Sequence, residues 1–168
     1  MKKILYVIVA ALCLTACEGN IPDSSPTKDG FVDLGLTSGT KWKNTNEYNK
    51  NNTNGFYTYS EAVELFKDSL PTQKQWEELI KECTWEWKGK GYRVTGNNGN
   101  YITLPADGYR FRDGHVDDVG TSGFYWSSTH YKWDYAWSLE MYSSGQYSVE
   151  FRDESWGEGQ SVRLAIKP

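Results

Sequence analysis

The side chains able to do chemistry in this 168-residue chain are few: two histidines, His115 and His130, and three cysteines, Cys13, Cys17 and Cys83. A catalytic centre needs a nucleophile, a base or a metal within mutual reach. No His-x-x-x-His or Cys-x-x-Cys spacing occurs, so a zinc site would have to recruit carboxylates. The adjacent acids Asp117-Asp118 and Asp153-Glu154 offer the carboxylate pairs that glycoside hydrolysis uses, but neighbouring side chains on one loop diverge. No Asp-x-Asp-x-Asp-Gly calcium loop is present, which leaves Asp113, Asp117 and Asp118 as the material for an unrelated cation site. The reading is no enzyme, no catalytic residue, no cofactor and no metal centre.

Recognition chemistry is what remains. His130-Tyr131-Lys132-Trp133-Asp134-Tyr135 and Arg152-Asp153-Glu154-Ser155-Trp156 mix flat rings with charged and hydrogen-bonding groups. Flat rings stack on sugar faces, and Tyr, Trp and Arg clusters also anchor protein interfaces. The candidate ligand-binding residues are therefore His130, Tyr131, Trp133, Asp134, Tyr135, Arg152, Asp153 and Trp156. The competing reading is that these rings fold inward and cap the core. Loops stay near the surface, which argues against burial of the whole set.

Short runs position these loops. Gly123–Thr129 reads as a buried strand with aromatic side chains pointing both ways, and Ala136–Met141, Tyr147–Phe151 and Gly159–Leu164 alternate as the half-buried strands that follow it in a C-terminal sheet. Upstream, Phe31–Leu36 alternates as a strand, a turn follows at Thr37–Thr40, and the Asn-rich stretch from Asn44 to Gly55 reads as a surface loop. Two helices come next. Ser60 is placed to cap the first, with Ala62, Val63, Leu65 and Phe66 on one face. Thr72 and Gln75 form a capping box for the second. In it Trp76, Leu79, Ile80 and Cys83 make one apolar stripe, which turns Cys83 inward; a reactive thiol would need exposure and a positive neighbour. Trp85-Glu86-Trp87 alternates as a strand, and Tyr92–Thr95 and Tyr101–Leu104 flank a Gly/Asn loop as a hairpin.

The start of the chain reads as an address. Lys2 and Lys3 precede an apolar run from Ile4 to Leu14, about half the length a spanning helix needs. Leu14-Thr15-Ala16-Cys17 resembles a bacterial lipobox, so residues 1–16 are read as a lipoprotein signal peptide and Cys17 as the lipidated residue. Residues 17–29, polar with Pro22 and Pro26, are a flexible tether, and 30–168 a single domain. Loss of two lysines takes the formal charge from −4 to −6, and an acidic chain without a basic cluster argues against nucleic acid. With Cys13 removed and Cys17 acylated, Cys83 has no partner for an internal disulfide. Eight Trp and twelve Tyr supply large buried areas instead.

Five motifs in order carry a family resemblance. They are Phe31-Val32-Asp33-Leu34-Gly35-Leu36-x-Ser38-Gly39-Thr40-Lys41-Trp42, Leu70-Pro71-Thr72-x-x-x-Trp76-Glu77-Glu78-Leu79, Leu104-Pro105-Ala106-x-Gly108-Tyr109-Arg110, Tyr125-Trp126-Ser127-Ser128-Thr129 and Gly159-Gln160-Ser161-Val162-Arg163. Over residues 30–168 the chain resembles the Fibrobacter succinogenes major paralogous domain, found in lipoproteins of gut Bacteroidetes. The resemblance implies an α+β, C-type-lectin-like fold related to the formylglycine-generating enzymes: two helices packed on a twisted antiparallel sheet, with N- and C-terminal strands paired. Trp126 and Arg163 would then be scaffold. The cysteine pair of the formylglycine enzymes is missing here, and so are the Glu-Pro-Asn and Trp-Asn-Asp signatures of calcium-dependent lectins.

The functional expectation is an exported lipoprotein, anchored to the outer membrane through its lipid alone, that recognises a glycan through the late-strand loops. The alternative is a protein–protein adhesin or an assembly component of an envelope complex. Asp68-Ser69-Leu70 also matches a short O-glycosylation pattern of Bacteroidetes.

Overall fold

A computed structural model of the chain describes residues 29–48, 55–133, 135–153 and 157–167. The signal segment, Cys17 and most of the tether lie outside these residues. So do Asp134, Glu154 and Trp156, while Arg152 and Asp153 are placed by their backbone. Among the described residues no helix is long and apolar enough to cross a membrane.

The described strands form four small antiparallel sheets. In the first, β1 (Phe31–Asp33) and β11 (Ala165–Ile166) flank β2 (Lys41–Lys43). The second joins β3 (Thr84–Trp87), β4 (Gly91–Thr95) and β5 (Tyr101–Pro105) in chain order, and the third pairs β6 (Tyr109–Arg110) with β7 (Val116–Asp117). The fourth sheet carries the longest strands, β8 (Ser122–Lys132), β9 (Tyr135–Tyr142) and β10 (Tyr147–Asp153), with β9 central. The helices are α1 (Tyr59–Phe66), which runs into a 3-10 turn at Lys67–Ser69, and α2 (Gln73–Glu82).

This architecture overturns the expected α+β, C-type-lectin-like fold. The chain is 42% strand and only 17% helix, a mixed, β-rich fold of small sheets with two short helices. The N-terminal β1 does not pair with the C-terminal β11; each bonds to β2 between them. β1 is also short. Asp33 Oδ1 accepts a hydrogen bond from Gly35 N at 2.8 Å and Gly35 turns to φ 69°, which stops β1 after three residues. The expected strand Gly159–Leu164 does not form either. Its residues make single bridges to unrelated partners, Gly159 to Arg110, Gln160 to Tyr57 and Ser161 to Tyr125.

Helix α1 differs from its reading too. Its cap is Thr58, in a reciprocal box with Glu61: Thr58 N donates to Glu61 Oε2 at 2.8 Å, and Glu61 N donates to Thr58 Oγ1 at 3.4 Å. Ser60 lies within the helix, Ala62 is buried, and Leu65 is 56% exposed. Helix α2 follows its sequence. Thr72 and Gln75 form the expected box, and Trp76 and Leu79 are fully buried.

Two apolar clusters hold the sheets together. The larger gathers Val32, Leu34, Trp42, Trp76, Leu79, Val94, Ile102, Leu104, Tyr125 and Leu139, so it draws on three of the sheets and α2. Trp42 and Trp76 meet with centroids 4.5 Å apart, and Trp85 stacks on Tyr147 at 4.6 Å and 13°, tying β3 to β10. The smaller cluster contains Tyr57, Ala62, Leu70, Trp126, Ala136 and Val162. Trp126 is its anchor: fully buried, its Nε1 donates to Tyr57 O at 2.8 Å. Such rings bury large areas with few rotatable bonds, which suits a domain built without a cross-link.

Candidate functional site

The β8–β9 hairpin carries the recognition residues to one end of the fourth sheet. Lys132 pairs with Tyr135, so only two positions separate the strands, and Trp133 is the first of them. Two-residue hairpins favour primed turns, whose first central residue needs positive φ and is ordinarily Asn, Asp or Gly. Trp133 takes that position at φ 54°. For a bulky side chain this left-handed conformation costs on the order of 1–2 kcal/mol. The strain is braced by His130, whose ring Nε2 lies 2.7 Å from Trp133 O and donates to it.

The braced indole points into water. Trp133 is 87% exposed, the most exposed of the large apolar side chains described. Tyr131 and Tyr135 flank it, 38% and 37% exposed. Lys132 Nζ sits 5.4 Å from the Tyr131 ring centroid, and Tyr131 meets Trp137 edge-on at 5.4 Å. The register of β8 on β9 shifts between Trp126 and His130 and again between His130 and Lys132. Such irregularities bend a strand and re-aim its side chains, which here spreads the rings over the tip.

β10 completes this end of the sheet. Asp153 pairs with Tyr135 and Arg152 with Ala136, so the second expected segment begins beside the hairpin tip. Backbone register thus brings His130, Tyr131, Trp133, Tyr135, Arg152 and Asp153 to one sheet end. Asp134 and Trp156 lie outside the described residues.

The remaining chemistry-bearing residues are dispersed. His115 sits at the β6–β7 loop, stacked on Phe111 at 5.7 Å, with its N donating to Asp113 Oδ1 at 2.9 Å. Asp117 Oδ1 accepts from Asp118 N at 2.8 Å, an engagement within the pair itself. Among the described residues no cluster of three or more His, Cys, Asp or Glu is arranged to hold a metal ion. Cys83, the residue that ends α2, packs against the larger core; burial first, and then the Glu82 and Glu78 charges, push its thiol up to about 12.

One polar centre escapes the sequence reading. Asn46, inside the stretch expected to be a surface loop, is 6% exposed and hydrogen-bonds the fully buried Arg163. Arg163 also donates to Lys43 O at 2.8 Å and Thr103 O at 2.7 Å, and Asn46 Nδ2 donates to Asp107 Oδ2 at 3.1 Å. Burial pushes the guanidinium down from its ordinary value, opposed by Tyr125, Tyr48 and Asp107. Nothing local marks Asn46, since its partner lies 117 residues away. Asn46 Nδ2 also donates to the Tyr125 hydroxyl at 3.3 Å, so this centre ties the first, second and fourth sheets together and is structural.

Over residues 94–165, from β4 to β11, the chain is similar to a family described as "Domain of unknown function (DUF8237)". No curated protein and no solved structure matches it.

Proposed function

We propose that this chain is a non-catalytic recognition protein whose β8–β9 hairpin tip, with the adjoining end of β10, binds a glycan. The observation that carries the reading is Trp133, an 87%-exposed indole at a turn position whose backbone favours Asn or Gly. Local rules broken without a packing gain mark functional positions. Covering the ring with a flat sugar face returns about 25 cal/mol for each Å² of apolar surface removed from water. In this reading the lipobox-like Leu14-Thr15-Ala16-Cys17 makes Cys17 the lipid attachment point, so the domain works on an outer membrane at the end of the 17–29 tether.

A protein partner is the second reading. It is favoured by the breadth of the tip, where Tyr131, Trp133 and Tyr135 are all exposed and Trp137 packs behind Tyr131. Aromatic anchors of this kind also dominate protein interfaces.

The test is a glycan array probed with a soluble form starting at residue 18, with calcium and with chelator, beside Trp133→Asn. A reproducible hit lost in the variant supports the glycan reading. Asn suits positive φ, so the variant keeps or gains stability, and lost binding cannot be blamed on unfolding. A blank array under both conditions overturns the glycan reading and sends the search to pull-downs from envelope extracts.

A further inference from the structure

At the far end of β8 and β9 from the hairpin tip lies a cavity of about 190 Å³, lined by Tyr109, Asp118, Phe124, Tyr142, Glu158 and Gln160. Tyr142 ends the strand that Tyr135 begins. At about 3.3 Å per strand residue the two are roughly 23 Å apart, so this is a separate place on the molecule. We propose that the cavity binds an organic ammonium group, the trimethylammonium head of a small ligand above all.

The walls have the chemistry of such a site. Tyr109 lies 5.2 Å from Phe124 at 75°, and Tyr142 lies 6.0 Å from the same ring at 89°. Both tyrosine rings therefore stand close to perpendicular to the phenylalanine they share. Aromatic faces carry partial negative charge and attract an ammonium within about 6 Å of a ring centroid. Asp118 and Glu158 add two carboxylates, and no lysine or arginine is among the described lining residues. A third acid, Glu140, is buried and accepts from Tyr142 Oη at 2.6 Å. Arg110, beside Tyr109, turns its Nε toward Gly159 and is not part of the lining.

Size narrows the ligand. Sites for whole drug-sized molecules measure roughly 300–1,000 Å³. A cavity of 190 Å³ takes a headgroup rather than an oligosaccharide.

The walls are also set in advance. Asp118 is held at φ 61° by its own carbonyl, which accepts from Thr121 N at 3.1 Å, Ser122 N at 3.0 Å and Thr121 Oγ1 at 2.9 Å. Behind it Gly108 leaves no room for a side chain, since a Cβ there would meet Asp117 O at 1.8 Å. Tyr142 is fixed by Glu140 at its hydroxyl and by Tyr92 Oη, which donates to its carbonyl at 2.9 Å. Gln160 Oε1 accepts from Ser138 Oγ at 2.7 Å. A ligand entering such a frame orders little that is not already ordered.

Calorimetric titration of the full-length chain with choline chloride at constant ionic strength tests the proposal. The comparison ligand is the uncharged isostere of choline, in which a tert-butyl group replaces the trimethylammonium head. Expected are saturable binding of choline, about tenfold preference over the isostere, and a several-fold loss in Tyr142→Leu and in Asp118→Asn. Asp118→Asn removes the charge while keeping a side chain that tolerates positive φ, so it decides the matter even if Tyr142→Leu fails to fold. Failure of choline to saturate the folded chain overturns the proposal, as does equal affinity for the isostere or undiminished binding in Asp118→Asn.

Discussion

Arg163 and Asn46 are joined at a single oxygen: Nε and Nη2 of the guanidinium donate to Asn46 Oδ1 at 2.9 and 2.6 Å. The charge is fully buried, held by this amide and two backbone carbonyls with the Tyr125 hydroxyl beside it. The carboxylate of Asp107 is reached only through the other end of the same amide. Asn46 thus supplies an acceptor to the cation and a donor to the anion.

Asn46→Ala leaves a buried guanidinium without its main acceptor. Breaking a buried charged pairing from one side costs about 3–5 kcal/mol. Urea unfolding should show a fall of that order, with the midpoint shifted and the slope unchanged. A loss below about 1 kcal/mol would mean that water replaces the amide.

Asp107 gives the same centre a pH signature. Burial raises its carboxyl above the ordinary value of 3.8, opposed by the Asn46 bond and the Arg163 charge. A raised acid keeps its proton in the folded chain at pH values where the unfolded chain has released it. Its contribution to stability therefore falls as pH rises from the ordinary carboxylate value through the folded one. Measured by denaturation at stepped pH, Asp107→Asn should gain on the wild type across that window and hold a constant difference above it. The opposite trend would show that the Arg163 charge outweighs burial.

Cys83 should be inert while the chain is folded. With its thiol pushed up to about 12, it presents roughly a thousandfold fewer thiolates at pH 8 than a thiol at its ordinary value of 9.0. Iodoacetamide labelling followed by peptide mass analysis should leave Cys83 unmodified in buffer and modify it rapidly in urea. Fast labelling of the folded chain would place the thiol at an open helix end.

The two helix caps separate structure from sequence appearance. Thr58→Ala and Thr72→Ala should each cost about 1 kcal/mol, because each removes a box that satisfies backbone N–H groups at the start of its helix. Ser60→Ala should change stability by a few tenths at most. Thermal unfolding of the three variants reads the difference, and a larger effect at Ser60 than at Thr58 would invert the assignment.

What was legible in the sequence was local. Alternation marks β4, β5, β9 and β10, a both-sided aromatic run marks β8, and the Thr72–Gln75 box marks α2, because those signals are complete within a few residues. Pairing between distant segments was not legible. The run from Gly159 to Leu164 alternates like a strand, yet its residues bridge three different partners, and no periodicity encodes that. The lectin-like architecture failed for the same reason: ordered motifs do not say how strands divide among sheets. Asn46 reads as one more asparagine in a polar loop until Arg163 arrives. At the sheet end the loop residues were readable as a set, while the positive φ of Trp133 and the brace from His130 were not. They follow from a two-residue turn whose length depends on register.

The bridges made by residues 159–161, together with the β11–β2 pairing and the Arg163 bonds, have a consequence for folding. Every one of them joins the last described segment to chain made much earlier: Gly159 to Arg110, Gln160 to Tyr57, Ser161 to Tyr125, Ala165 to Trp42. A chain lacking residues 159–166 would keep its hairpins and the apolar contacts between sheets but lose these bridges, the β11–β2 pairing and the Arg163 bonds. Closing such distant loops is slow compared with forming a hairpin. Residues 159–166 therefore work as a latch, adding long-range links between early and late chain to the apolar contacts the sheets already share.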